Sequence, residues 1–405
     1  MSDPSMYRCL VVAASVTLAF LGGCGGGGGS GGSASPPAIA QNVHPVTVDA
    51  GPAGIPDLLF TSVTVCTAGG GTQCLTIDHI QVDTGSSGLR IISSVLTPAM
   101  SLRQQLDANG NPLVECAQFA DGFAWGPVKI ADVHIAGEQA SSVPIQVIGD
   151  PAYATIPSSC SGVGPPENTV ETFGANGLLG VGLFLQDCGS SCNQITIPGA
   201  YYGCDAAGCQ PTRVALAGQV QNPVGMFATD NNGVIVELPA VPSAGAATVS
   251  GSLIFGIGTQ GNNGLGSVTT LGVDPNTGNL TTLYDNQTYA NSYIDSGSSA
   301  LFFGNNAFPG CTGPGSGLYC PAAAQNLSAT LQGVNRATSA VTFGVGNADH
   351  LFAANPSYYA FSDLAGPNPD PSSFAWGLPF FFGRSVFTAI EGRSTPAGPG
   401  PFIAF

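Results

Sequence analysis

The sequence predicts an all-β protein. Gly, Pro, Thr, Ser and Val are abundant, and no long stretch repeats its apolar residues with a helical period. Hydrophobic residues make up 43% of the 405 residues, so the chain can bury a sizeable core despite its 58 Gly and 31 Pro. The length alone suggests about two to three domains.

Acidic residues dominate the charge of the chain. It has 24 Asp and Glu against eight Lys and Arg, which gives a formal net charge of -16. Charged residues are only 8% of the chain, whereas an ordinary soluble domain carries about 25%. A chain with so few cations and no basic cluster binds a phosphate backbone poorly, so the composition argues against nucleic acid as a partner.

The N-terminus has the pattern of an export signal. Residues 9–23 form an apolar run after Arg8 that is too short to span a bilayer, as expected for a signal peptide. Small residues before Cys24 resemble the bacterial lipoprotein signal, in which that Cys is lipidated and begins the mature protein. Residues 24–40 then form a Gly/Ser-rich tether. We therefore expect a signal peptide over 1–23 and an outer-membrane lipoprotein on the periplasmic side; secretion after an ordinary signal peptide is the alternative.

The cysteines agree with export. Twelve Cys are present, and ten remain once the two in the N-terminal segment are set aside. An even number in an exported chain predicts disulfides. Two pairs flank Gly-rich turns and could close them: Cys66 with Cys74, and Cys311 with Cys320. Four further Cys form a cluster whose pairing stays open, with a zinc site as the less favoured alternative: Cys188, Cys192, Cys204 and Cys209.

The chain contains an internal repeat. Residues 80–89 and 293–301 share the pattern apolar-Asp-Thr/Ser-Gly-Ser-Ser-x-Leu, and their aspartates lie 295 − 83 = 212 residues apart. Each copy is followed by an apolar run that ends in Gly, at 177–180 and at 380–383. Two repeated elements in the same order and at similar spacing predict two related lobes.

These motifs resemble those of the pepsin-like aspartic peptidases. In that family each lobe contributes an apolar-Asp-Thr/Ser-Gly loop, which a later apolar-apolar-Gly segment braces. The resemblance covers roughly residues 43–405, and the sequence is also similar to an uncharacterised branch of bacterial exported proteins. It implies a bilobal pepsin-like acid protease fold, with two related β-barrel-like lobes over 41–258 and 259–405 and a central cleft.

The resemblance also implies the chemistry. Asp83 and Asp295 would be the catalytic pair, because two facing carboxyl groups that share one proton supply both a base for water and an acid for the substrate. Six neighbours would support the pair through hydrogen bonds or close backbone approach: Thr84, Gly85, Ser86, Ser296, Gly297 and Ser298. The expected activity is that of an aspartic endopeptidase, which holds a peptide or protein substrate in extended form and uses no metal or organic cofactor. We expect a monomer that is attached to the membrane through the lipid at Cys24.

Two positions depart from the family pattern. Arg90 stands where the family commonly has Trp, and no Tyr stands at the base of the flap, the hairpin that covers the cleft. Phe119 and Trp125 are the candidates for that flap position, and we expect the Arg90 guanidinium to stack near the flap aromatic residue. The alternative function is a catalytically silent pepsin-like binding protein tethered in the cell envelope.

Overall fold

The computed structural model describes residues 41–97, 100–162 and 164–405. The predicted signal peptide, the tether and Cys24 lie outside the described residues. Strands dominate, so the all-β prediction is confirmed, and the α-helices of the described residues are only four to seven residues long. None of these helices has the length and apolar character that crossing a membrane would require.

The strands are, in chain order, β1 Val43–Val48, β2 Leu59–Thr67, β3 Cys74–Asp83, β4 Ser87–Ile92, β5 Arg103–Gln104, β6 Leu113–Gln118, β7 Phe123–Ile135, β8 Glu138–Ile148, β9 Gly177–Val181, β10 Tyr201–Asp205, β11 Gly208–Pro211, β12 Gly233–Leu238, β13 Val249–Phe255, β14 Thr270–Gly272, β15 Leu280–Tyr284, β16 Gln287–Ile294, β17 Leu301–Phe302, β18 Gln325–Gln332, β19 Thr338–Val345, β20 Ala365–Gly366, β21 Ala375–Trp376, β22 Arg384–Ala389, β23 Ser394–Thr395, β24 Gly398–Pro399 and β25 Phe402–Ala404. The α-helices are α1 Ser158–Ser161, α2 Val170–Phe173, α3 Gly189–Gln194 and α4 Ala348–Ala354. Short 3₁₀ turns lie at Ser93–Val95, Pro151–Tyr153, Leu216–Gly218, Pro223–Met226 and Leu378–Phe380.

The larger sheet is partly closed on itself. Its order is β11-β10-β6-β7-β8-β4-β9-β3-β2-β1-β13-β12-β22-β25-β14, with β5 added to β7. Because β7 also pairs with β2, the strands β2, β3, β9, β4, β8 and β7 form a closed ring. Alternating apolar residues of these strands fill the ring, among them Val63, Val82, Leu89, Val133 and Leu179.

The smaller sheet has the order β19-β18-β15-β16-β21-β17-β20 and comes from residues 280–376. Within it, β16-β21-β17-β20 repeats the arrangement β3-β9-β4-β8 of the larger sheet. In both sets the first pair is parallel, the middle pair is antiparallel and the last pair is parallel. The repeat seen in the sequence is therefore also a repeat of strand pairing.

Five disulfides confirm the predicted use of the cysteines. Cys66 pairs with Cys74 and Cys311 pairs with Cys320, as the flanking turns indicated. The four clustered cysteines form two short-range disulfides, Cys188–Cys192 and Cys204–Cys209. The remaining two cysteines, which lie outside the cluster, form the fifth disulfide, Cys116–Cys160. The zinc alternative is wrong, because all four of its sulfur atoms are engaged in disulfides.

Candidate active site

The first aspartate lies where a buried strand ends. Strand β3 ends at Asp83, whose neighbour across the parallel pairing is Gly180 of β9. Strand β4 begins at Ser87 and pairs with the other side of β9. Glycine is needed at position 180, where β9 lies against the loop between β3 and β4, because a Cβ there would lie 2.8 Å from Oγ of Ser86 and from the Ser87 backbone. The predicted brace over 177–180 thus lies beside the loop it was expected to hold.

The second aspartate lies in the same setting. Strand β16 ends at Ile294, and the backbone N–H of Asp295 donates to the Trp376 carbonyl of β21 at 3.0 Å. Gly377 follows at once, and a Cβ there would lie 2.5 Å from the Ser298 carbonyl. The N–H of Leu378 donates to that same carbonyl at 2.8 Å. Gly377 therefore takes the place in this loop that Gly180 takes in the first.

The prediction that residues 380–383 brace the second loop is wrong. The segment from Phe380 to Gly383 includes the end of a 3₁₀ turn and leads into β22. Phe382 forms a bridge with Leu238 of β12, away from the Asp295 loop. The sequence around Trp376 also reads apolar-apolar-Gly, so two adjacent segments fitted the same pattern, and the strand pairing selects the earlier one.

The two loops bind each other through their hydroxyl residues. The Thr84 N–H donates to Oγ of Ser296 at 3.1 Å, and the Ser296 N–H donates to Oγ1 of Thr84 at 3.0 Å. Ser296 also donates its hydroxyl to the Val82 carbonyl at 2.8 Å. Gln81 adds a further link, because its side-chain amide donates to the Gly297 carbonyl at 2.9 Å. These reciprocal bonds fix the position of one aspartate relative to the other.

Each carboxyl group is held by its own loop. In the first loop, the Gly85 N–H donates to Oδ1 of Asp83 at 2.7 Å, and the Ser86 hydroxyl donates to Oδ2. In the second loop, the Gly297 N–H donates to Oδ1 of Asp295 at 2.7 Å. The hydroxyl of Ser298 donates to Oδ2 of Asp295, also at 2.7 Å. The six supporting residues predicted from the sequence are thus brought together around the pair.

Each glycine also makes room for the opposite carboxyl group. A Cβ at Gly85 would lie 2.7 Å from Cγ of Asp295, and a Cβ at Gly297 would lie 2.7 Å from Cγ of Asp83. Any side chain at either position would therefore push an aspartate away. The absence of Cβ is what lets the two loops approach closely enough for the carboxyl groups to face each other.

The electrostatics of the pair favour a retained proton. Burial, and then the negative charge of Asp83, raise the pKa of Asp295 well above its ordinary value. The side chains are within hydrogen-bonding reach of each other, and bonds from Ser298 and Gly297 oppose the rise only in part. Two carboxyl groups this close do not both ionise readily, so one proton is shared by the pair.

A cavity of about 450 Å³ opens in front of the aspartates. Asp83, Asp295 and Phe119 line it, so the first flap candidate lies at the same cavity as the two aspartates. Phe119 lies at the tip of the β6–β7 hairpin, with its ring edge-on to Phe173 at 5.9 Å. Further apolar walls come from elsewhere in the chain: Ile55, Leu58, Leu178 and Phe302.

The other two flap candidates lie away from the cavity. Trp125 is buried, donates its indole N–H to the Tyr153 carbonyl at 2.8 Å and packs edge-on against Tyr202. Arg90 is buried in an ion-pair network instead of stacking on a flap ring, so that expectation is corrected. Its Nη2 atom lies 2.6 Å from Oε1 of Glu115 and 3.4 Å from Oδ2 of Asp187. An apolar interior offers a guanidinium far more stabilisation from carboxylates than from an aromatic face.

Sequence reasoning missed several residues that line the cavity. Gln81 and Tyr293 occupy equivalent places in the repeat, two residues before each aspartate, and strand alternation places each on the same face as its aspartate. That alternation was a usable signal. Burial, and then the negative charge of Asp295, raise the pKa of Tyr293 to about 12, so its hydroxyl is neutral. Asp121 and Glu167 also line the cavity, and no local pattern indicated either.

One group of described residues has the spacing of metal ligands: Cys311, Cys320 and Asp349. The two sulfur atoms form a disulfide and are not thiolates. The Asp349 carboxylate accepts backbone N–H bonds from Thr312, Gly313 and Gly315 at 2.8–3.2 Å. This group therefore closes the 311–320 loop and does not suit a metal ion.

The fold and the site define an all-β protein with two aspartates held face to face by a duplicated loop. The chain belongs to a family described as a protein of unknown function, DUF3443, whose pattern matches residues 38–405. No curated protein matches the sequence.

Proposed function

We propose that this chain is an aspartic endopeptidase with a pepsin-like bilobal fold, exported and anchored to the cell envelope by a lipid at Cys24. One observation carries the proposal. Asp83 and Asp295 come from two copies of one loop, and each loop supplies an N–H donor and a hydroxyl donor to its own carboxyl group. The glycine of each loop also leaves room for the carboxyl group of the opposite loop. A structural turn requires neither the facing carboxyl groups nor the cavity in front of them.

The chemistry follows from a pair that holds one proton. The ionised carboxylate takes a proton from a water molecule as the water oxygen attacks the carbonyl carbon of the substrate. The protonated carboxyl group donates its proton to the carbonyl oxygen, which gives a neutral tetrahedral intermediate. When that intermediate collapses, a proton passes from the pair to the amide nitrogen, the C–N bond breaks, and one hydroxyl group of the intermediate returns a proton to the pair. The products are a carboxylic acid and an amine, and the pair again holds one proton.

The cavity suits an extended peptide. It lies between the hairpin tip at Phe119 and the loops that hold the aspartates, and its walls combine polar and apolar side chains. An extended substrate can pair its backbone with such a hairpin as an added strand does. Side chains then alternate between the two faces of the peptide, so some would enter the apolar part of the cavity.

Isosteric substitution of each aspartate tests the proposal. Asp83→Asn and Asp295→Asn should each lower peptide hydrolysis at least about 10³-fold, because Asn cannot exchange the proton, and the double variant should be no slower than either single one. Hydrolysis of a fluorogenic peptide library from pH 3 to pH 8, with and without a transition-state mimic of the aspartic class, measures this. The matched control is Asp78→Asn, an exposed position on the same strand as Asp83.

Thermal melts of the same variants separate chemistry from folding. All of them should melt as cooperative units, because the loop hydrogen bonds from Gly85 and Gly297 remain possible with Asn. Full turnover in either single variant would overturn the proposal. A wild-type protein that binds peptides without cleaving them at any pH would instead favour the tethered binding protein.

A further inference from the structure

The tip of the β6–β7 hairpin presents a carboxyl pair to the cavity. The tip is a tight turn in which the Phe119 N–H donates to the Gly122 carbonyl at 2.8 Å. Asp121 lies in this turn and lines the cavity. A second segment pairs with the start of β7, because the Phe123 N–H donates to the Pro165 carbonyl at 3.1 Å and the Glu167 N–H donates to the Phe123 carbonyl at 2.8 Å.

Glu167 is therefore fixed against the hairpin tip. A Cβ at Gly122 would collide with Oε1 of Glu167, so the carboxyl group lies directly over that backbone. Burial, followed by the negative charge of Asp121, raises the pKa of Glu167 to about 7. The two side chains are within hydrogen-bonding reach of each other, as are those of the aspartates at the other side of the cavity.

Nothing positive in the described part of the chain balances this charge. The cavity lining includes four carboxyl groups and no Lys, Arg or His. The ion pairs formed by the described residues involve only His79 and Arg90, and neither lines the cavity. A carboxyl group that is partly buried and lacks a counter-charge is stabilised by any cation that enters beside it.

We propose that the cavity selects peptides that carry a Lys or Arg side chain next to an apolar one, with Asp121 and Glu167 as the specificity-determining residues. The proposal rests on the peptidase function proposed above and names its substrate class. The cationic group would contact the Asp121 and Glu167 carboxylates at the hairpin tip. The adjoining apolar side chain would pack on Phe119 and Phe173, whose rings already meet edge to face.

This arrangement has a pH signature. Glu167 releases its proton near pH 7, so its attraction for a cation grows as the pH rises through that range. A preference based on hydrophobic contact alone would not change there. Added salt should weaken the preference, because part of the pair is exposed to solvent.

The experiment compares matched peptides that differ at one side chain, Lys, norleucine or Glu, beside a constant Phe. We expect wild-type kcat/KM to favour Lys over norleucine about 10- to 100-fold at pH 8 and to reject Glu, with a smaller Lys preference at pH 5. The Asp121→Asn, Glu167→Gln double variant should bring the ratio of Lys to norleucine near 1. The control is Asp205→Asn, an exposed acid outside the cavity, which should leave the ratio as in the wild type.

Binding measurements keep this inference separate from the peptidase proposal. Fluorescence anisotropy of the same labelled peptides on the Asp83→Asn variant reports selection without cleavage. If the Lys peptide binds selectively but the wild-type protein hydrolyses none of the peptides, the peptidase proposal is refuted and the proposed selectivity stands. Equal binding of the Lys and norleucine peptides, or a Lys preference that survives the double substitution, would overturn the selectivity.

Discussion

Replacing Arg90 with Met should destabilise the fold strongly at neutral pH and much less in acid. Arg90 is only 3% exposed. Its guanidinium donates to Glu115 and to the Ser87 carbonyl, at 2.6 and 2.9 Å, and it also approaches Asp187. Asp187 in turn accepts the Tyr201 hydroxyl at 2.7 Å. Met fills a similar volume without a charge, so the variant would leave the buried carboxyl group of Glu115 and the largely buried one of Asp187 with no cation beside them.

The size of the effect follows from this burial. Removing one partner of a buried ion pair costs about 3–5 kcal/mol. A folded unit of about 360 residues has an unfolding entropy of roughly 0.75 kcal/mol/K, so the melting temperature should fall by about 4–7 °C.

The pH dependence has a definite sign. Burial, and then the negative charge of Glu115, already raise the pKa of Asp187 well above its ordinary value. A carboxyl group whose folded pKa exceeds its unfolded pKa loses stability as the pH rises from about 4 through the folded pKa. Without Arg90 the folded pKa rises further, so the destabilisation should be large at pH 8 and small at pH 4.

Thermal melts of the wild type and of Arg90→Met at pH 4 and pH 8 measure both effects. The matched control adds Glu115→Gln and Asp187→Asn to the Arg90 variant. These changes remove the two unpaired negative charges and should restore much of the lost stability at pH 8. An equal loss at the two pH values, or no recovery in the triple variant, would refute the reasoning.

Two further predictions concern separate parts of the chain. Asp363 is buried, and burial raises its pKa from 3.8 to about 6. Its ionisation therefore weakens the fold as the pH rises from about 4 to above 6. Asp363→Asn should stabilise the protein by up to about 3 kcal/mol at pH 8 and hardly at all at pH 4. Urea unfolding at both pH values checks this, and identical curves for the two proteins would contradict it. Cys24→Ser should release the protein from the membrane fraction or leave the precursor uncleaved, because the lipid is attached through the thiol; labelling with a fatty acid that leaves the wild type unlabelled would count against the anchor.

The aspartate loops could be predicted from the sequence because their chemistry is local. In each loop, the donors to the carboxyl group lie two and three residues after the aspartate. A short motif therefore contains nearly all the groups that hold the carboxyl group. Its recurrence after 212 residues, the difference between positions 295 and 83, then indicated that the two loops meet.

The features that sequence analysis missed depend on pairing over long distances. The sequence predicts the brace of the second loop at 380–383, although Trp376 and Gly377 fit the same apolar-apolar-Gly pattern. Only the pairing of β21 with β16 distinguishes the two segments. The partners of Arg90 lie 25 and 97 residues away, at Glu115 and Asp187, with no periodicity linking the three. One signal was available: with only 8% charged residues, a cation within an apolar strand requires a buried acid as its partner.

The two halves of the site depend on each other, and this explains which parts of the repeat are alike. Gly85 provides the space that Asp295 occupies, and Gly297 provides the space for Asp83. Thr84 and Ser296 exchange backbone-to-hydroxyl bonds in both directions. A change in one loop therefore alters the environment of the other aspartate, whereas each brace pairs with the two strands that flank its own loop. The two loops must therefore match each other, so they are the part of the repeat that is alike. Each brace needs only to match its own strands, so the braces can differ, as Leu-Leu-Gly and Ala-Trp-Gly do.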